Sequence, residues 1–210
     1  MGHSVDPLSC VFELISCIQV NKRSRLGVLI RKPIPMASYM IRKAKPEDCV
    51  DIVGFIKELA EYQCMLDQVD MTPAKLEADA FCTEPFVNLL VAVCSKSNQT
   101  VGYSSFSYTY GSWKGRTVYM DDLYVSPQHR GAGLGTSLMQ AVAKSAVERG
   151  CNRMNWIVLS WNTRPKELYA RLGADNLSEK EGWQSISLFQ DNLELFADKL
   201  GANPKILFDL

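Results

Sequence analysis

The sequence predicts a mixed α/β domain: a mostly antiparallel central sheet flanked by helices. Three observations predict it. Residues 88–125 are β-rich and broken twice by polar or glycine-containing stretches, which makes an antiparallel meander. On both sides of this meander the apolar residues change to helical spacing. A glycine-rich loop, residues 130–135, then joins the end of a strand to the start of a helix. The resulting order is β-α-α-β-β-β-α-β-α-β.

Each element has a local reason. Residues 39–44 read as a short first strand. Pro46 suits the first turn of a helix, where its missing N–H is no loss. Ile52, Val53, Ile56, Leu59 and Ala60 then form one apolar face, which carries the helix to about Gln63. Thr72 is placed to cap a second helix beginning at Pro73 and ending near Phe81. Residues 88–94, 101–110 and 116–125 are the meander strands. Residues 95–99 turn the chain after the first, and Gly111-Ser112-Trp113 after the second. A helix over 136–148 follows the glycine loop, with Gly150 placed to end it. Residues 154–159 read as a strand and 164–172 as a helix closed by Gly173. Residues 186–189 read as a last strand and 191–200 as a terminal amphipathic helix.

Composition narrows the function classes. The chain has 210 residues, 47% of them hydrophobic, which suits one globular domain with a real core. Lys plus Arg and Asp plus Glu both number 23, so the basic footprint of a nucleic-acid binder is missing. No apolar run reaches the ~18 residues that span a bilayer. Seven scattered cysteines without a Cys-x-x-Cys pair, and only two histidines, read as free, mostly buried thiols in a reducing, cytoplasmic setting rather than a disulfide or metal framework. No metal is expected. Residues 1–35 carry five basic and two acidic residues and no chemical motif. They read as a mobile extension, with Met36-Ala37-Ser38 resembling a start site and the working domain covering 36–210.

The most specific feature is Arg130, Gly131, Ala132, Gly133, Leu134 and Gly135, followed by Thr136. Small residues let the backbone approach a ligand and present consecutive N–H groups, and a helix N-terminus adds partial positive charge. Together these suit a pyrophosphate. The loop lacks the Gly-Lys-Ser/Thr ending of a nucleotide P-loop, and Thr136 stands where a dinucleotide fingerprint has its third glycine. Taken alone, the loop is equally compatible with a plain glycine turn.

Its context decides. Arg-x-x-Gly-x-Gly directly after Tyr119-Met120-Asp121-Asp122-Leu123-Tyr124-Val125 resembles the acetyl-coenzyme A motif of GNAT acetyltransferases. Asn162, followed by Tyr169-Ala170-Arg171-Leu172-Gly173-Ala174, resembles that family's second motif. The resemblance spans about residues 39–189 and implies the GNAT fold. Trp113-Lys114-Gly115-Arg116-Thr117, Ser160-Trp161-Asn162 and Glu179-Lys180-Glu181-Gly182-Trp183 are similar to the diamine (spermidine/spermine) acetyltransferase subfamily, nearest its thialysine-acetylating branch. The resemblance implies acetyl-CoA as co-substrate. Leu123, Tyr124 and Val125 would line its acetyl and pantetheine arm, and residues Gly131 to Thr136, following Arg130, would cradle its pyrophosphate. Asn162, Thr163, Arg164 and Pro165 would contact the pantetheine further along, with Leu172 packing on it. It also implies a homodimer that pairs through C-terminal strands.

The reaction asks for two proton transfers. An alkyl ammonium, with pKa near ~10, must lose a proton before it attacks a thioester, and the departing thiolate is stabilised by a donor. Backbone N–H groups at a strand end can hold the oxyanion. The resemblance places the donor at Tyr169, whose alternative is an ordinary packed aromatic. It gives the substrate-facing carboxylate to Asp121, where the family pattern has the longer Glu. In a regular strand Asp122 points to the other face, unless a bulge intervenes. Its expected role is a cap or a pair with a nearby Lys or Arg.

For the amine itself the candidates are Asp121, Glu181 and Trp183, the last offering a cation–π face. Tyr62 and Gln63 correspond to a substrate-contacting pair whose second member is commonly acidic in polyamine-acetylating relatives. The neutral Gln63 shifts weight to a shorter or amino-acid-like amine such as thialysine. Asn155, Trp156 and Ile157 lie on the strand that would line the pocket, or are simply core. Two other functions fit the same residues: a protein that binds acetyl-CoA or a partner with little catalysis, and an acetyltransferase acting on protein N-termini or lysines.

Overall fold

The computed structural model describes residues 39–198. Within these the chain divides into two compact units, one ending at Ile157 and one starting at Val158. The extension over 1–35 and the end of the expected terminal helix lie outside the described residues.

The first unit is one five-stranded sheet in the order β1-β2-β3-β4-β5. Its strands are β1 (Tyr39–Lys43), β2 (Asn88–Cys94), β3 (Gln99–Gly111), β4 (Gly115–Val125) and β5 (Arg153–Asn155). The first four pair antiparallel and β5 joins β4 parallel. Helix α1 (Cys49–Tyr62) follows a single 3-10 turn at Pro46–Asp48, and α2 is Pro73–Ala80. Thr72 caps α2 as its sequence position predicts, its hydroxyl accepting from the Lys75 N–H at 3.2 Å.

The two sheet faces are filled from opposite sides. Cys49, Ile52, Val53, Phe55 and Leu76 from α1 and α2 pack on Leu89, Val91, Val93, Tyr103 and Tyr124. Helix α3 (Leu134–Glu148) covers the other face with the buried side chains of Leu138, Met139, Val142 and Ala146. The α1 entry is fixed by Asp48, only 5% exposed, which accepts two bonds from the Arg42 guanidinium, at 2.7 and 2.9 Å, and one from the Lys45 N–H.

The second unit holds α4 (Thr163–Arg171), α5 (Leu177–Glu181) and α6 (Gln190–Ala197). No strand forms over 186–189, correcting the expectation. Ile186, Leu188 and Phe189 are 87%, 55% and 78% exposed. Their β-rich composition reports a preference, but a strand exists only where a neighbour completes its ladder, and this segment has none within the described chain. The strand expected over 154–159 is also shorter, ending at Asn155, so Trp156 and Ile157 lie beyond it. Helix α5 has no counterpart in the sequence reading; Asn176 caps it and Gly182, at φ +77°, ends it.

Cys49, Cys82, Cys94 and Cys151 are free thiols, as expected, but the described cysteines are not mostly buried. Cys49 and Cys94 are buried, Cys151 is half-buried, and Cys64 and Cys82 are exposed. Both exposed ones follow helix ends: Cys64 takes a positive φ after α1, and the Cys82 thiol bonds the Asp79 and Glu84 carbonyls after α2.

Candidate functional site

The centre of the site is a bulge in β4. Ser105 pairs with Asp122 and the next residue, Phe106, pairs with Met120, so Asp121 is skipped. The extra residue reverses the alternation. Asp122 joins Tyr103 and Tyr124 on the α1 face, while Met120 and Val118 remain buried on the α3 face. In an unbulged strand Asp122 would share the face of Met120. Asp121 is left exposed at the bulge.

Among the described residues Asp122 meets no Lys or Arg, which corrects the expected pairing. Its carboxylate accepts from the Tyr103 hydroxyl at 2.7 Å, and its N–H donates to Ser105 Oγ at 3.0 Å. Ser104 Oγ donates to its carbonyl at 2.9 Å. Burial raises the Asp122 carboxyl above its ordinary range; the Tyr103 and Ser105 hydrogen bonds oppose that rise, and nearby Asp121 adds to it. Tyr103 is driven well above the usual phenol range by burial and by the adjacent carboxylate. The resulting network is polar, fully buried at Tyr103, and leaves no buried side-chain donor or acceptor unpaired among the described residues.

The strand end beyond the bulge is held from two sides. Tyr124 donates to the Glu58 carboxylate on α1 and stacks with Phe55, ring centroids 5.1 Å apart. Gly102 on β3 lies so close that a Cβ there would sit 2.6 Å from the Tyr124 carbonyl oxygen. Tyr103, Ser105, Glu58 and Gly102 are supporting residues that motif reading misses. The one signal available is a glycine inside a strand pattern, which marks close backbone approach.

Arg130 closes the strand-to-loop step. Its Nε donates to the Val125 carbonyl at 2.7 Å, and its guanidinium lies 5.7 Å from the Tyr124 ring centroid. Gly131 and Gly133 take φ of +82° and +81°, and a Cβ at either would meet nothing within 4 Å. The loop is therefore shaped by left-handed turns, with open space where a ligand would approach. Helix α3 begins at Leu134, two residues earlier than expected, so Leu134, Gly135 and Thr136 are its first turn. Gly133 is its N-cap and supplies no side-chain cap. The first intrahelical bond is Ser137 N–H to the Gly133 carbonyl, which leaves the N–H groups ahead of it to serve a ligand. Exposed Gly131, Ala132 and Gly133 with half-buried Gly135 and Thr136 make a cradle whose chemistry fits a pyrophosphate.

The remaining first-unit candidates are dispersed. Tyr62 ends α1 and is 46% exposed, with Gln63 as its C-cap. Asn155 and Trp156 are half-buried and Ile157 is 73% exposed.

In the second unit, Asn162 is the N-cap of α4, Thr163, Arg164 and Pro165 form its first turn, and Leu172 is its C-cap. Tyr169 is half-buried on α4, and burial raises its phenol above the ordinary value. At neutral pH it is a protonated hydroxyl, the state a proton donor needs. Trp183 Nε1 donates to the Glu181 carboxylate at 2.6 Å, so these two candidates are coupled.

Comparison with known proteins bears on this arrangement. Residues 52–174 match the model of the acetyltransferase (GNAT) family. The chain is 43% identical over 170 residues to a thialysine N-epsilon-acetyltransferase of Bos taurus, covering 78% of this chain and all of that one. It is 34% identical to spermidine/spermine N(1)-acetyltransferase-like protein 1 of Homo sapiens, over 78% of this chain but 24% of that longer protein. Among solved structures, an integron cassette protein from the V. cholerae mobile metagenome superposes with TM-score 0.61 at 24% identity, over 76% of this chain and 98% of that one. The last is a likeness of fold alone.

Proposed function

The chain belongs to the GNAT acetyltransferase family, and from that premise we propose that it moves an acetyl group from acetyl-CoA to the primary amine of a small, amino-acid-like molecule of the thialysine type. The observation that carries the reading is the bulge and cradle in sequence along one strand and helix: Asp121 exposed at the bulge, Leu123 to Val125 at the strand end, then the glycine turns and the uncapped start of α3.

In this reading Asp121 binds the cationic amine and takes its proton, directly or through water. The free amine attacks the thioester carbonyl carbon. The carbon–nitrogen bond forms, and the carbonyl oxygen becomes an oxyanion facing backbone N–H groups near the end of β4. The oxyanion re-forms the carbonyl as the carbon–sulfur bond breaks, Tyr169 gives its proton to the leaving thiolate, and the extra proton on the newly acylated nitrogen passes through water to restore the phenol. The raised phenol value keeps that proton in place until it is needed. Asn162 to Pro165 and Leu172 hold the pantetheine arm. Glu181 and Trp183, already joined, receive the distal end of the amine. Gln63, beside Tyr62, supplies no charge where a long polyamine would need one, which favours the shorter substrate. Asn155, Trp156 and Ile157 are the first unit's further candidate contacts to the amine.

The exposed apolar segment over 186–189 supports a homodimer, in which a second copy supplies the missing ladder. The free thiols of Cys49, Cys82, Cys94 and Cys151 support a reducing, cytoplasmic setting. No described helix is long and apolar enough to cross a membrane. Turnover against thialysine, short diamines, spermidine, spermine and a lysine peptide tests the substrate class. Highest kcat/KM on thialysine is expected; preference for spermine or the peptide overturns it.

A further inference from the structure

A second cleft lies at the far end of the same strand and helix. It has a volume of about 420 Å³ and is lined by Tyr108, Thr109, Tyr110, Arg116, Thr117, Arg149 and Cys151. Arg116 is the second residue of β4 and Arg149 the C-cap of α3. The glycine cradle sits at the opposite end of α3, a helix of 15 residues and hence ~22 Å long.

Two cationic side chains line this cleft. Arg116 Nη1 donates to the Arg149 carbonyl at 3.2 Å. The Arg149 guanidinium lies over the Tyr108 ring, 4.2 Å from its centroid. Among the described residues neither arginine is in an ion pair. The neighbouring carboxylate, Glu148, is bound to Lys144 instead. Beside the arginines, the Thr109 and Thr117 hydroxyls bond each other at 2.6 Å. That contact uses one of their two protons and leaves the other to donate.

We propose that this cleft binds a phosphate group, either free or as a small phosphomonoester. Two planar donor forks and a hydroxyl donor line one concave surface, and no carboxylate pairs with either fork among the described residues, so their charge outweighs the partial negative charge of the α3 C-terminus. A tetrahedral dianion uses several donors at once, whereas a single carboxylate leaves part of such a set unmatched. This site is separate from the acetyl-transfer reading and does not depend on it.

Titration calorimetry of the full chain with inorganic phosphate and with glycerol phosphate tests it. Ionic strength is held constant and coenzyme A is kept saturating, so that the glycine cradle does not compete. One equivalent of phosphate is expected to bind in the millimolar range or tighter. The double variant Arg116→Gln/Arg149→Gln is expected to weaken it at least ~10-fold, since each lost fork removes a charge-assisted contact. Coenzyme A affinity should stay at the parent value. Arg149 is exposed, so Arg149→Gln alone gives a readable protein even if the double variant fails to fold, and a several-fold loss is expected from it. Tighter binding of glycerol phosphate than of phosphate identifies the monoester as the occupant, and the reverse the free anion. Undetectable phosphate binding in the parent, or equal affinity in parent and Arg149→Gln, overturns the proposal.

Discussion

The Tyr103 hydroxyl on β3 donates to the Asp122 carboxylate on β4 across 2.7 Å, and Asp122 shares Tyr103's face, covered by α1, only because β4 bulges at Asp121. This pair makes a pH prediction. Burial, the strongest influence, raises the folded carboxyl. The folded state then binds that proton more tightly than the unfolded chain does. The associated stability is fully present below the unfolded carboxylate value of ~4 and is lost as pH rises through the raised folded value. Asp122→Asn cannot titrate and keeps an acceptor for Tyr103. The Tm of Asp122→Asn relative to the parent should therefore climb between pH 4 and pH 8. A difference that stays flat over that range contradicts the assignment. Tyr103→Phe removes a bond that favours the ionised form, so it should move the pH-dependent loss to still higher pH.

A second prediction concerns backbone approach. At Gly102 a methyl would stand 2.6 Å from the Tyr124 carbonyl oxygen, and that partner is backbone in the sheet interior. Gly102→Ala must push β3 away from β4 where the strand end is set. A cost of roughly 1–3 kcal/mol is expected from denaturant unfolding. Gly54 on α1 is the control, because a Cβ added there meets nothing within 4 Å. Gly54→Ala should be neutral or stabilising.

The Arg42–Asp48 pair anchors the turn into α1. The Asp48 carboxyl is held below its ordinary value: burial pushes it up, and the Arg42 and Lys45 bonds more than offset that. A depressed carboxyl contributes stability that is present above the unfolded value and lost as pH falls through the folded one. Asp48→Asn should lower stability at pH 7 by roughly 2 kcal/mol and shrink the parent's advantage as pH approaches ~3. Equal loss at both pH values argues that only packing is involved.

The cradle is tested by Gly133→Asp. The residue is at φ +81° and caps α3, so the substitution adds a carboxylate where the first-turn N–H groups would meet a pyrophosphate. A side chain is strained at this φ, so some stability is lost, but it meets nothing within 4 Å and circular dichroism should still show the folded protein. The thermal shift produced by acetyl-CoA should vanish. Retained affinity removes the basis for placing the pyrophosphate here.

Much of this arrangement is legible in the sequence because it is local. The meander strands, the Thr72 cap and the strand–glycine loop–helix step are fixed by residues a few positions apart, and the structure forms each. The segment over 186–189 reads as a strand and is not one, because strand formation depends on a partner that no local pattern supplies. Asp122 eludes sequence reading for a related reason. Its true partners, Tyr103 and Ser105, are 19 and 17 residues away, and only the bulge turns it towards them. Asp121 is legible as a candidate, but its exposure follows from that same bulge.

The mechanistic assignment rests on Tyr169. If its hydroxyl protonates the leaving thiolate, it acts mainly in the transition state, so its removal lowers kcat while KM for acetyl-CoA barely moves. General acid catalysis is worth about 10²–10⁴-fold, and Tyr169→Phe should fall in that range. Phe retains the half-buried ring, so the variant should remain folded by circular dichroism. A nearly silent substitution means that Tyr169 only packs. A higher KM with unchanged kcat means that it serves co-substrate binding. Asp121→Asn is the complementary measurement. Its loss should be largest at low pH, where the amine most needs a proton acceptor, and an equal loss at every pH argues that Asp121 binds the amine without taking its proton.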